Sequence, residues 1–191
     1  MRSAFKTGVQ LLCLVVLFPF AALSGFGRLQ LAYTFFAHAC SLIPGVLGDY
    51  MRAAYYVMTL RQCSIDCQIG FGTYFSQSRA IVARGVGIGA YCVIGTANLA
   101  ERCRLGSGVQ VLSGQHQHER DGDGRLVPGR FDEVRIGADC WVGAAAIIMA
   151  DVGDGATIQA GAVVTLPVPP GVTAAGNPAR IIRPAAATIA R

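Results

Sequence analysis

Toward the C-terminal end of the chain, aliphatic residues recur every six positions: Ile136, Val142 and Ile148, then Val152, Ile158 and Val164. Small residues (Cys140, Ala146, Ala156, Ala162) stand four places after an anchor, and Gly follows Ile136, Val142 and Val152. Six steps of an α-helix turn through about 600°, which scatters such anchors around the circumference. Six is a multiple of two, so an extended chain keeps them all on one side. Short, evenly spaced, Gly-punctuated segments of this kind predict a parallel β-helix, in which each rung pairs with the next. The step from Ile148 to Val152 is four, which tightens one corner.

The same signal begins near Ile65 and Ile69 and becomes regular at Ile88, Ile94, Leu99, Leu105 and Val111. One step, Ile94 to Leu99, is five. Cys92, Asn98, Cys103 and Val109 are expected at the small inward place. From residue 113 to 133 the pattern stops, in S-G-Q-H-Q-H-E-R-D-G-D-G-R-L-V-P-G-R-F-D-E, and it resumes at Val134 in register. A polar, Gly-rich loop thrown out of a rigid scaffold is where functional side chains concentrate.

The N-terminal quarter reads differently. Residues 7–27 carry no charge, with Arg2 and Lys6 before them and Arg28 after; a second uncharged run covers 29–48. Twenty-one helical residues span about 31 Å, enough for a bilayer core. A basic start followed by A-A-L-S-G also fits a cleaved signal peptide, against which the apolar second run weighs. The expectation is a membrane-associating segment, either a re-entrant hairpin bending near Pro19 or Gly25–Gly27, or a pair of interfacial helices. Residues 45–60 read as a further helix, with Leu47, Met51, Ala54 and Met58 on one face. Tyr50, Tyr55 and Tyr56 suit a membrane interface, and the helix also suits a cap over the first coil.

Composition sharpens this picture. Charged residues are only 14% against 53% hydrophobic, low for a freely soluble protein, and the net charge of +5 suits an anionic surface or a polyphosphate ligand. Basic and aromatic residues are not interleaved, which argues against nucleic acid. Seven scattered cysteines form no even framework and are read as structural thiols of a reducing compartment. The loop holds two of the three histidines, His116 and His118. An imidazole suits the removal of a proton from a hydroxyl near neutral pH. A catalytic zinc wants three protein ligands; with no third histidine in the repeat region, no metal is expected.

The repeat, Trp141 and the ending A-A-G-N-P-A-R-I-I-R together resemble the hexapeptide-repeat acyltransferases, over residues 63–184. That resemblance implies an all-β, left-handed parallel β-helix, here with an N-terminal α-helical membrane-associated segment, and acetyl-CoA as co-substrate. In the maltose and galactoside type a histidine stands at the root of the loop, and V-Q-V-L-S-G-Q-H gives that role to His116 as catalytic base. His118 and Trp141 would then line the active-site wall. Gly143, Ala144, Ala160, Thr165, Arg180 and Arg183 match cofactor-binding positions, with the Ala144 N–H a candidate oxyanion donor and the two arginines meeting phosphates. Leu166 stands where the family often has Lys. The acceptor-positioning Asn has no counterpart near residues 74–79, and Glu119, Asp132 and Glu133 all stay open as the carboxylate orienting His116.

The expected organisation is therefore a hydrophobic helical segment (1–61), a β-helix acyltransferase domain (62–184) carrying the loop 113–133, and a tail (185–191). The resemblance implies a homotrimer with active sites between subunits. The expected activity is O-acetyl transfer to a sugar hydroxyl, on a lipid-linked or nascent surface-polysaccharide precursor, at the cytoplasmic face of the inner membrane of a bacterium. Two alternatives are an acetyltransferase for a soluble small molecule (serine, a free sugar or a xenobiotic) and a non-catalytic scaffold in polysaccharide assembly.

Overall fold

The computed structural model describes residues 2–114 and 118–184. Its main body is a parallel β-helix of triangular section, with short strands on three faces. The first face stacks Gln62–Cys63, Ile81–Val82, Ala97–Leu99 and Val134–Ile136, and single bridges carry it on through Val152 and Val168. The second stacks Gln68–Ile69, Gly87–Ile88, Arg104–Leu105, Trp141–Val142, Thr157–Ile158 and Val172–Ala175. The third stacks Tyr74–Phe75, Val93–Ile94, Gln110–Val111, Ile147–Ile148 and Val163–Val164. Arg180–Pro184 turns back antiparallel on Val172–Ala175 and closes the second face.

Each anchor lands on the partner above it, so Ile69, Ile88, Leu105, Val142 and Ile158 form one continuous inward ladder. Burying each such side chain contributes about 1.5–3 kcal/mol. The small residues fill the corners: Cys103, Cys140 and Ala156 stack at one, Cys92, Val109, Ala146 and Ala162 at another, all buried. One sequence expectation is corrected. Asn98 is not the inward residue; Ala97 is fully buried while Asn98 is only half-buried. The corner there is one residue short, because the Thr96 N–H is held on Ser113 Oγ at 2.7 Å and turns the chain inward early.

Three helices close the end of the first coil: α1 (Arg2–Leu23), α2 (Gln30–Ser41) and α3 (Gly45–Thr59). The tyrosines of α3 correct a second expectation. Tyr55 and Tyr56 do not sit at a membrane interface but are fully buried. Tyr56 Oη accepts the Phe75 N–H at 3.1 Å, its ring meets Phe75 edge-on at 4.8 Å, and Tyr55 Oη donates to the Tyr33 carbonyl at 3.0 Å. An open coil would leave Ile69 and Phe75 facing water, and these rings plug it. Leu47, read on one face with Met51, Ala54 and Met58, is exposed, whereas Ala54 is buried. Arg52, fully buried, ties the layer together: its Nε donates to the Ile69 carbonyl and its Nη1 to the Ile43 carbonyl, each at 2.7 Å.

The helix α1 is apolar on its outward side as well as on its inner one. Gln10, Cys13, Leu17, Ala21 and Ser24 face the protein, while Phe5, Leu11, Leu12, Val15, Val16, Phe18 and Leu23 face outward. Phe5–Leu23 is long and apolar enough to cross a membrane, and only 22% of its apolar window is buried. Yet both ends of the helix are tied to the base of the β-helix. Near its start Lys6 pairs with Asp66 at 2.8 Å and Gln10 donates to the Ile65 carbonyl at 3.2 Å. Just past its end Gly27 (φ +85°) presses on the Thr59 carbonyl and the Ser78 side chain, leaving no room for a Cβ. Then α2 is pinned by Gln30 to the Ser76 carbonyl at 2.9 Å and by the Ser41 carbonyl to the Gly72 N–H at 2.8 Å.

Candidate active-site cleft

Successive coils advance by 19, 17, 37, 16 and 16 residues along the first face, through Cys63, Val82, Leu99, Ile136, Val152 and Val168. The long step contains the loop, which leaves after the third face and re-enters at the first. Its neck is built from few atoms. Ser113 is buried, and its carbonyl accepts the Asp132 N–H at 3.0 Å. Gly114 has φ +77°, and a Cβ there would stand 3.0 Å from Asp132 Cβ, so Gly lets the two strands of the neck close. Beyond the neck, His118–Arg120 pairs antiparallel with Leu126–Pro128.

His116 lies outside the described residues, as do the side chains of His118, Glu119 and Arg183. Of the carboxylates left open by the sequence, Asp132 stands against Gly114 at the neck and takes an ion pair from Arg130 at 2.7 Å. The Glu133 carboxylate turns instead toward Arg61, at 3.7 Å. The placement of Asp132 depends on how the loop returns, which no spacing reveals.

Below the neck a cleft of about 330 Å³ is lined by Gly114, Asp132, Met149, Asp151, Thr165 and Leu166, among others. Leu166 and Pro167 also border a second depression of about 270 Å³ that holds Ala179, Arg180 and Ile181. Two of the expected cofactor residues, Thr165 and Arg180, thus lie with the loop root along one edge of the prism, between the third and first faces. Arg180 is exposed, and its guanidinium reaches only the neighbouring Ala179 carbonyl (2.9 Å) among the described residues.

The other expected residues occupy a different edge. Trp141 is 56% exposed on the second face, in register with Arg104 and Thr157. Gly143, Ala144 and Ala160 follow at the corner between the second and third faces. A Cβ on Gly143 would run into the Ala160 backbone N, and one on Gly106 would meet the Ala144 N at 2.7 Å. Coil stacking is tight here and leaves bare backbone outside. Ala144 is exposed, and its N–H has no backbone carbonyl partner among the described residues. Within one chain Trp141, Ala144 and Ala160 are therefore not brought to Thr165 or the loop neck, because alternate corners of a triangular coil face different directions. Behind Trp141, burial pushes the Cys140 thiol above its ordinary pKa, so it is a packed apolar group and not a nucleophile.

Residues 133–165 match the family described as hexapeptide repeat of succinyl-transferase. The chain is a hexapeptide-repeat protein. Among curated relatives, this hexapeptide-repeat chain is 33% identical over 168 residues to a serine acetyltransferase of Salmonella typhimurium, covering 86% of the chain and 53% of that protein. It is 31% identical to the serine acetyltransferase of Escherichia coli K12, with the same coverage. The chain spans about half the length of the curated relatives it matches. Its fold is shared with a maltose O-acetyltransferase from Clostridium difficile 630, at TM-score 0.66 and 19% identity over 84% of this chain and 90% of that one. It is also shared with a galactoside acetyltransferase in complex with coenzyme A, at TM-score 0.56 and 19% identity over 84% and 82%.

Proposed function

We propose that this chain is an acyl-CoA-dependent O-acetyltransferase that moves an acetyl group from acetyl-CoA to a sugar hydroxyl at a membrane surface. The observation that carries this reading is the continuous edge from the loop neck (Gly114, Asp132) past Thr165 and Leu166 to Arg180. An extended thiol ester with a phosphorylated tail suits such an edge, with Arg180 and Arg183 meeting its phosphates. His116 accepts the proton of the acceptor hydroxyl while the oxygen attacks the thioester carbonyl. The oxyanion that forms is met by the Ala144 N–H, and the carbonyl re-forms as the C–S bond breaks. The proton held on the imidazole passes to the departing thiolate, and Asp132 orients the ring.

The two residue groups lie on different edges, so the site is complete only if a second copy's Trp141, Ala144 and Ala160 face the loop of the first. A homotrimer with active sites between subunits meets that requirement. The exposed apolar face of α1 supports a membrane surface as partner, and acetyl-CoA as donor would require the β-helix on the cytoplasmic side of the bacterial inner membrane. The acceptor is a lipid-linked or nascent surface-polysaccharide sugar, bound without a metal.

Thiol release from acetyl-CoA on addition of sugar acceptors tests this. Wild type turns over, and His116→Ala and Asp132→Asn lose about 10²–10⁴-fold, the usual worth of a positioned base, with the oligomer intact. Near-normal turnover in His116→Ala would end the assignment. The similarity to serine acetyltransferases favours one second reading, a soluble small-molecule acceptor. Serine outcompeting every sugar would establish it. Acetyl-CoA binding without transfer to any acceptor would favour a scaffold.

A further inference from the structure

A cavity of about 490 Å³ opens where the α1–α2 turn meets the first coil. Arg28, Arg61 and Arg79 line it, with the amides of Gln30 and Gln77 beside them. Every charged residue in its wall is a cation, although the three arginines come from segments far apart in sequence. Arg28 and Arg79 pair with no carboxylate among the described residues, and Arg61 makes an exposed ion pair with Glu133 at 3.7 Å. Three guanidinium groups that share a single carboxylate neighbour, Glu133 on Arg61, leave donors free to select phosphate oxygens. The rim says where that phosphate comes from. Phe26 lines the cavity, stands 48% exposed, and meets Phe18 edge-on at 5.9 Å within the outward apolar face of α1.

We propose that this cavity binds the phosphate monoester or diphosphate of a membrane lipid while the apolar face of α1 and α2 sits in the lipid. The cavity lies on the edge between the third and first faces, the same edge as the loop neck. Arg61 immediately precedes the strand Gln62–Cys63, and Glu133 precedes Val134–Ile136, three sheet rungs or about 14 Å away. A short glycan on the bound phosphate extends along that edge to the cleft. The site is thus the anchor for a lipid-linked phosphosugar acceptor; that last step rests on the acetyltransferase reading.

The test is flotation of the full chain with vesicles of phosphatidylcholine, with or without polyprenyl diphosphate, wild type beside Arg28→Gln/Arg61→Gln/Arg79→Gln. Wild type prefers the diphosphate vesicles by about tenfold or more, as expected for several charge-assisted hydrogen bonds. The variant loses that preference and keeps its binding to plain phosphatidylcholine and its thermal midpoint. An unchanged preference in the variant, or none in wild type, overturns the site. Soluble pyrophosphate binding as tightly as the lipid-borne group overturns the lipid source. Thiol release with a soluble acceptor is read separately. Its absence beside an intact vesicle preference defeats acetyl transfer and leaves the phosphate site standing.

Discussion

Replacing Arg52 with Leu is expected to detach the helical layer from the β-helix. The guanidinium is wholly buried and donates to the Ile69 carbonyl of the first coil and the Ile43 carbonyl, both at 2.7 Å, with longer contacts at 3.4 Å to the Cys40 and Ser41 carbonyls, which also accept backbone N–H groups. Its other nitrogen meets Asp49 at 2.5 Å. The carbonyls of Cys40, Ser41 and Ile43 belong to the C-terminal end of α2, where a cation also answers the helix dipole. Leu fills much of the volume but leaves the Ile69 and Ile43 carbonyls and the Asp49 carboxylate unanswered. Each stranded carbonyl costs about 1–3 kcal/mol, and the Asp49 carboxylate, 28% exposed, adds less than the roughly 3–5 kcal/mol of a fully buried pair. Because these share one side chain, the loss expected is about 3–5 kcal/mol. For a chain of this size that lowers the melting midpoint by roughly 6–20 °C. Coils interact with their neighbours only, so the damage stays at the capped end. Limited proteolysis read by mass spectrometry then finds cuts between α2 and α3 while the β-helix survives. Arg52→Lys keeps the charge without the fork and falls in between. A loss under about 1 kcal/mol, or uniform cleavage along the coils, would refute this account.

Gly143→Ala puts a methyl group against the Ala160 backbone. It is expected to prise two coils apart, with a loss of about 1–3 kcal/mol in chemical denaturation, and to weaken acetyl-CoA binding at the same corner. Burial pushes the Cys103 thiol up to about 12 and the Cys40 thiol up to about 11. Both should resist a thiol reagent in the native protein and react at once in denaturant. The Lys6 ammonium holds the Asp66 carboxyl below its usual range. The unfolded or detached state has the higher carboxyl pKa, so the pair's contribution is present above about pH 4. It is lost as pH falls through the depressed value. Hydrogen-exchange protection in the first turns of α1, taken relative to the intrinsic rate at each pH, should fall in that acid window, and should not change there in Asp66→Asn.

The β-helix was legible because its repeat is a packing rule. An inward residue must recur wherever the chain returns to the same face, and Ile136, Val142 and Ile148 state that periodicity in the sequence. The corner at Ala97 was misread since hydrogen bonding between Thr96 and Ser113, on adjacent coils, shortens it. Tyr55 and Tyr56 left two readings open, because an amphipathic tyrosine suits a membrane interface and a cap over the first coil equally well by composition; the structure shows the cap. The loop was visible as an interruption, but its closing carboxylate, Asp132, was one of three on paper. What spacing could not supply was the assignment of residues to edges. Thr165 and Ala160 are five apart in sequence and lie on different corners. Arg28, Arg61 and Arg79, carried by an interhelical turn and by one corner on two successive coils, converge on one cavity.

The account stands or falls on the donor. Titration calorimetry of acetyl-CoA into the full chain, wild type beside Arg180→Ala/Arg183→Ala, tests it most directly. The account predicts micromolar binding by wild type, weakened about tenfold or more when the two guanidinium groups are removed. No heat of binding to wild type, or equal affinity in the double variant, would contradict it.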